Sequence, residues 1–118
     1  MNFTIPGKPQ PKQRPRRGAG GRFYTPKATR AFEQLVMWCA LQARPSNWPR
    51  DRRYSVQITV VCPDKRKRDI DNIAKSILDG MNDVAWLDDG QVDQLQIQRV
   101  HAPSEAFVTK VVIEVACE

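Results

Sequence analysis

The stretch from Tyr54 to Cys62 constrains the fold more than any other part of this chain of 118 residues. Apolar residues occupy every second position of this stretch, and Pro63 follows directly. Such alternation predicts a β-strand with one buried face, which the proline ends. After Asp71 the apolar residues recur instead at helical spacing, at Ile73, Ala74, Ile77, Leu78 and Met81. We therefore predict a central strand followed by an amphipathic helix, which is the building unit of an α/β protein.

The other elements are predicted around this unit. Residues 2–5 alternate polar and apolar and predict a short first strand, ended by Pro6-Gly7. Thr25 and Pro26 are typical of a helix start, with Thr25 as the cap and Pro26 at the first helical position of a helix to about Ala43. Two further strands are predicted at Val92–Val100 and Ala106–Cys117. We expect one compact α/β domain over residues 1–118, in the order β-α-β-α-β-β, with a mixed sheet and two helices packed against it.

The sequence carries no sign of a membrane protein or of a structural metal site. No apolar run approaches the ~18 residues that span a bilayer, and prolines and cations occupy the place of a signal sequence's apolar core. The three cysteines, Cys39, Cys62 and Cys117, lie far apart beside apolar neighbours, and His101 is the single histidine. We therefore expect a cytoplasmic protein with buried, reduced thiols and no zinc site.

Charge is divided unequally along the chain. Residues 1–68 contain sixteen Lys and Arg against three acidic residues, a net charge of +13, whereas residues 69–118 contain three against ten, a net charge of −7. Six cations fall in residues 6–22, a segment rich in proline and glycine that has no acidic residue and predicts a loop or an arm that orders on DNA. The distribution predicts a basic surface for nucleic acid around a local acidic centre.

The acidic centre follows a run of four cations. Lys65-Arg-Lys-Arg68 leads directly into Asp69 and Asp71, and Lys75 lies four residues after Asp71, on the same helical face. Two carboxylates at i and i+2 in extended backbone project to one side, so they can share one cation. Asp88-Asp89 can return a third carboxylate to the same place, with one of the two facing the metal. Cations bind phosphate, and carboxylates approach it through a divalent metal, so the pattern predicts a metal-dependent nuclease.

Each of these residues also has a purely structural interpretation. Asp71 can simply cap the helix, and Asp88-Asp89-Gly90 can be an ordinary turn. The basic segments can be solvated surface. Trp86, which could stack on a base, more often fills a core when it precedes a turn.

The chain resembles the RusA family of phage and prophage Holliday-junction resolvases. The resemblance rests on Pro63-Asp-Lys-Arg-Lys-Arg-Asp-Ile-Asp-Asn-Ile-Ala-Lys75, Leu78-Asp79 and Trp86-Leu-Asp-Asp-Gly-Gln-Val92, with Pro6-Gly7, Pro11-Lys-Gln-Arg14 and Tyr24-Thr25-Pro26. It implies that Asp69, Asp71 and Asp89 are the metal-binding catalytic carboxylates and that Lys75 is an essential lysine. Asp88 matches the first acid of its motif and is a further candidate ligand. The family also implies a homodimer, dependence on Mg²⁺ (with Mn²⁺ as a substitute), and paired symmetric cuts across a four-way junction.

We therefore predict a Mg²⁺-dependent endodeoxyribonuclease that resolves four-way DNA junctions in recombination and repair. We expect the cations of the basic run and of the arm to bind DNA phosphates. These residues are Lys65, Arg66, Lys67, Arg68, Lys12, Arg14, Arg16 and Arg17. Two alternatives remain open. One is a non-catalytic basic DNA-binding module, and the other is a nuclease that acts on duplex, flap or single-stranded DNA.

Overall fold

The computed structural model describes residues 1–116, in which a four-stranded sheet carries two helices on one face. In chain order the elements are β1 (Asn2–Pro6), β2 (Arg16–Arg17), β3 (Phe23–Tyr24), α1 (Lys27–Ala43), β4 (Tyr54–Cys62), α2 (Ile70–Gly80), β5 (Val92–His101) and β6 (Val108–Val115). The main sheet has the strand order β1-β6-β4-β5, in which β4 and β5 are parallel and the other pairs are antiparallel. The predicted α/β class, the mixed sheet and the order β-α-β-α-β-β are confirmed.

Burial follows the alternation that the sequence predicted for β4. Val56, Ile58 and Val60 are fully buried under the helices, whereas Gln57 between them is exposed on the other face. Trp86 is also fully buried, packs on Tyr54 at 5.7 Å between ring centroids, and donates its indole N–H to Asn82. The prediction that Trp86 fills the core is confirmed.

The two helices cross in close contact at Gly80. A Cβ atom on Gly80 would lie 2.8 Å from the Val36 Cβ atom and 2.9 Å from the Glu33 carbonyl oxygen of α1. Such distances leave no room for a side chain, so glycine is required at the crossing. The crossing brings Glu33 on α1 next to Asp79 on α2.

Three details differ from the sequence predictions. The helix α1 begins at Lys27, and Pro26 stands at its N-cap with ψ 149° and no side-chain cap, so the capping role assigned to Thr25 was wrong. Extended backbone at Pro26 places the first helical residue one position later. The arm contains a short hairpin, β2 with β3, that was not predicted. The last strand ends at Val115, and Cys117 lies outside the described residues.

Cys62 is buried and Cys39 is half-buried, both as thiols, and burial raises the pKa of Cys39. Of the helices in residues 1–116, none has the length and apolar character needed to cross a bilayer.

Candidate functional site

A tight turn joins β4 to α2, and Arg68 holds it closed. The Arg68 guanidinium donates to both carboxylate oxygens of Asp64 at 2.8 Å and lies 4.8 Å from the centre of the Phe107 ring. Its side chain is only 9% exposed. Burial is the largest single influence and acts to raise the pKa of Asp64, but the hydrogen bonds and charges of Arg68 and Arg66 together outweigh it, so the pKa is lowered. Arg68 therefore faces inward, whereas Lys65, Arg66 and Lys67 are exposed to solvent.

Asp69 and Asp71 bring two exposed carboxyl groups together where α2 begins. Asp69 is the N-cap residue and Asp71 lies in the first turn. The neighbouring Asp71 carboxyl group is the main cause that lowers the pKa of Asp69, and the Asn72 side-chain amide, 2.6 Å from an Asp69 oxygen, is the next. A proton or cation shared by two neighbouring carboxyl groups balances their charge. Their oxygen atoms are the ligands that Mg²⁺ prefers, so the pair fits such an ion.

Lys75 connects the middle of α2 to the loop before β5. Its ammonium group donates to Asp79 at 3.0 Å and to Asp89 at 3.1 Å. The hydrogen bond to Asp79 is the largest contribution and raises the pKa of Lys75, with Asp89 acting in the same direction. Lys75 is therefore a fixed positive charge at neutral pH, with two carboxylate partners.

The two acidic residues of the loop have different environments. Asp88 caps the short 3₁₀ turn Asp89–Gln91: its carboxylate accepts from Gly90 N–H at 2.9 Å, and the Gln91 side chain accepts from Asp88 N–H at 3.0 Å. The Gln91 amide group also donates to the Arg50 and Arg52 carbonyl oxygens, which fixes the turn against the segment before β4. Asp88 is thus occupied by the turn, while Asp89 points toward Lys75.

The first part of the basic arm is packed along α2. Gly7 N–H donates to the Phe107 carbonyl oxygen at 3.1 Å, the Ser76 hydroxyl donates to the Gln10 carbonyl oxygen at 2.7 Å, and Lys12 N–H donates to the Asn72 carbonyl oxygen at 2.8 Å. A cleft runs between this segment and the start of α2, lined by Lys8–Pro11, Lys67–Asp69 and Ile73. The prediction of a non-helical segment holds here, but this part of the arm is ordered by the protein itself.

The Lys12 side chain turns inward instead of toward solvent. Its ammonium group lies 2.5 Å from a Glu33 oxygen and 3.1 Å from an Asp79 oxygen. Burial acts to lower the pKa of Lys12, but the hydrogen bonds to Glu33 and Asp79 outweigh it, so the pKa is raised. Lys12 is therefore engaged in ion pairs, like Arg68.

The end of the arm and the two residues after it form the hairpin of β2 and β3. Arg16 and Arg17 are exposed on the hairpin, Arg14 is exposed just before it, and Arg17 lies 5.4 Å from the centre of the Phe23 ring. Phe23 is 67% exposed and Tyr24 is 50% exposed. Exposed aromatic rings among arginines are typical of surfaces that bind nucleic acid.

The structure thus groups the predicted residues in part. Asp69 and Asp71 are adjacent, and Asp89 meets Lys75. Within residues 1–116, no three His, Cys, Asp or Glu side chains lie close enough as a group to hold a metal ion. No role was predicted from the sequence for Asp79, Glu33 or the exposed aromatic residues. For Asp79 the available signal was its position four residues after Lys75.

Two comparisons with known proteins bear on this site. A family model described as "Endodeoxyribonuclease RusA" matches residues 6–116, which include every candidate site residue. The chain is also similar to the crossover junction endodeoxyribonuclease RusA of Aquifex aeolicus (strain VF5), with 37% identity over 65 residues. That alignment covers 55% of this chain and 51% of the relative, so it spans about half the length of each protein.

Proposed function

Because this chain belongs to the RusA endodeoxyribonuclease family, we propose that it is a Mg²⁺-dependent endodeoxyribonuclease that resolves four-way DNA junctions by paired symmetric cuts. The observation that carries the proposal is the exposed carboxyl pair of Asp69 and Asp71 at the start of α2. The Lys75 ammonium group lies farther along the same helix, and a run of exposed cations directly precedes the pair in the chain. We place this activity in DNA recombination and repair, in the cytoplasm.

Asp69, Asp71 and Asp89 are the proposed ligands of Mg²⁺, for which Mn²⁺ could substitute. When bound, the ion polarises a phosphoryl oxygen and makes a water molecule more acidic. Asp69 and Asp71 supply hard oxygen atoms from a rigid helix start, and Asn72 orients the Asp69 carboxylate. Asp89, which lies at Lys75 and not beside the Asp69–Asp71 pair, is the proposed third ligand because Asp88 is occupied by the turn.

Lys75 acts as a cation in this scheme and not as a base. Its pKa is raised, so the ammonium group keeps its proton at neutral pH. From that position it donates hydrogen bonds to the phosphoryl oxygens as negative charge develops on them, or orients the attacking water. In-line attack leaves a 5′-phosphate and a 3′-hydroxyl.

The outward-facing cations are the proposed phosphate contacts. Lys67 lines the cleft that leads to Asp69, Lys65 and Arg66 are exposed just before it in the chain, and the hairpin arginines are further exposed cations. Lys12 and Arg68, which we predicted as DNA contacts, are held in ion pairs. We propose that these two residues support the site from within.

Paired cuts call for two sites related by a two-fold axis, and a homodimer supplies them. The strand β5 offers a surface for a second copy, because within residues 1–116 it pairs only with β4 and so forms an edge of the sheet.

The decisive experiment is incubation with Mg²⁺ and a mobile four-way junction labelled on each strand in turn, resolved on a denaturing gel. We expect cuts at symmetric positions on opposite strands and none with Asp71→Asn, the matched control. Wild-type protein that binds without cutting would identify a DNA-binding module. Equal cutting of duplex and junction would identify a nuclease without junction selectivity.

A further inference from the structure

Asp79 is the most enclosed carboxylate at the site, and no role was predicted for it. Its side chain is 17% exposed, and its two oxygens face two different lysines. One oxygen accepts from Lys75 at 3.0 Å, and the other lies 3.1 Å from the Lys12 ammonium group. A single carboxylate therefore joins the arm to the lysine of the site.

The helix crossing holds Asp79 in place. Gly80, the next residue, contacts α1 so closely that no Cβ atom would fit. Glu33 on α1 binds the same Lys12 ammonium group at 2.5 Å. The backbone of Asp79 is thus fixed by packing, and its carboxylate is fixed by two cations.

The two partners of Lys75 differ in what else they must do. Asp89 is a proposed metal ligand, and its loop must serve the metal as well as Lys75. Asp79 is outside the proposed ligand set and lies on the same helix as Lys75, one turn away. Asp79 is therefore the partner of the Lys75 ammonium group that has no proposed contact with the metal or the DNA.

We propose that Asp79 is a positioning residue: it orients the Lys75 ammonium group toward the reacting phosphate, and Lys12 links this contact to the basic arm. The proposal rests on the proposed function, because it assigns Lys75 a part in cleavage. The simpler interpretation is that the network only ties the arm to the helices. The two interpretations differ in whether Asp79 acts through Lys75.

A double-mutant cycle separates them, with single-turnover cleavage measured at saturating enzyme for Asp79→Asn, Lys75→Met and the double variant. Asp79→Asn should lower the rate about tenfold without weakening junction binding, and should add less than about twofold when Lys75 is already Met. Asp83→Asn is the matched control, because it removes an exposed carboxylate nearby at φ 69°, a conformation that asparagine tolerates. That control should cleave like wild type.

A second readout requires neither DNA nor metal. The ¹H–¹⁵N resonance of the Lys75 ammonium group, assigned by its loss in Lys75→Met, should shift or exchange faster with water in Asp79→Asn and stay unchanged in Asp83→Asn. Three results would each overturn the proposal. They are an unaltered Lys75 resonance in Asp79→Asn, a wild-type cleavage rate in Asp79→Asn, and a full tenfold loss of rate when Asp79→Asn is added to Lys75→Met. Wild-type protein that cuts no DNA would refute the proposed function, and the resonance would then decide whether Asp79 holds Lys75.

Discussion

Replacing Lys65, Arg66 and Lys67 together by alanine should weaken DNA binding and leave the rate of saturated cleavage nearly unchanged. These three side chains are exposed at the turn after β4. Arg68 is left intact because its guanidinium group binds Asp64 and covers Phe107. The triple variant therefore removes the outward-facing charge while the turn keeps its internal clamp.

The size of the effect follows from counterion release. Each phosphate contact contributes ~0.9 to the slope of log affinity against log salt on duplex arms, so three contacts correspond to a slope change of ~2.7 per subunit. A dimer carries the run twice, and the change then reaches ~5.4 if all six cations meet phosphate. Cleavage at saturation should persist because none of the three belongs to the carboxyl and lysine groups of the site.

Fluorescence anisotropy of a labelled four-way junction, recorded across a series of salt concentrations, measures the slope. Lys110→Ala is the control, since Lys110 is exposed on β6 on the sheet face away from the helices. Its slope should match that of wild type. An unchanged slope in the triple variant would refute the reasoning and transfer the DNA contacts to the arm and its hairpin.

Each of the variants Asp69→Asn, Asp71→Asn and Asp89→Asn should abolish cleavage. Junction binding should stay the same or become tighter, because a negative charge near phosphate is lost. A loss of band-shift affinity in all three variants would show that these residues are structural. Asp88→Asn should be milder because Asp88 caps a turn, and a loss equal to that of Asp89→Asn would contradict this. Lys75→Ala should lower the single-turnover cleavage rate by ~10²–10³-fold with little loss of DNA affinity. An unchanged rate would show that Lys75 has no part in cleavage. Burial acts to raise the pKa of the Asp79 carboxyl group, but Lys75 and Lys12 together lower it from its ordinary value of 3.8. The ionised Asp79 carboxylate therefore stabilises the folded protein above pH 3.8, and this stabilisation is lost as the pH falls through the lowered pKa. The difference in urea stability between wild type and Asp79→Asn should therefore shrink on acidification, and a constant difference would refute the assignment.

Strong periodicity explains why the main elements were predictable. The alternation in Tyr54–Cys62 predicted the strand bounds directly, because one face of β4 is fully buried and Ser55, Gln57 and Thr59 on the other face are less buried. The small hairpin of β2 and β3 has only two residues per strand, too few for a periodic signal. The start of α1 moved by one residue because proline is compatible with both the N-cap and the first helical position.

Local spacing predicts that the Asp69 and Asp71 side chains lie near each other, since only Ile70 separates them along the backbone. It could not predict that Arg68 and Lys12 face inward, because their partners Asp64, Phe107 and Glu33 depend on how distant segments pack. A run of cations shows its charge in sequence but not which members are already paired. That distinction came only from the tertiary structure.

The parallel pairing of β4 with β5 has a consequence for how the protein reaches its native state. Asp69, Asp71, Lys75 and Asp89 all lie in the single connection between these two strands, residues 63–91. Parallel strands pair only after such a crossover closes, and contacts of long sequence separation form slowly. We therefore expect Asp89 to reach Lys75 when the β4–β5 ladder forms, so that the proposed site is completed in the same folding step as the sheet edge.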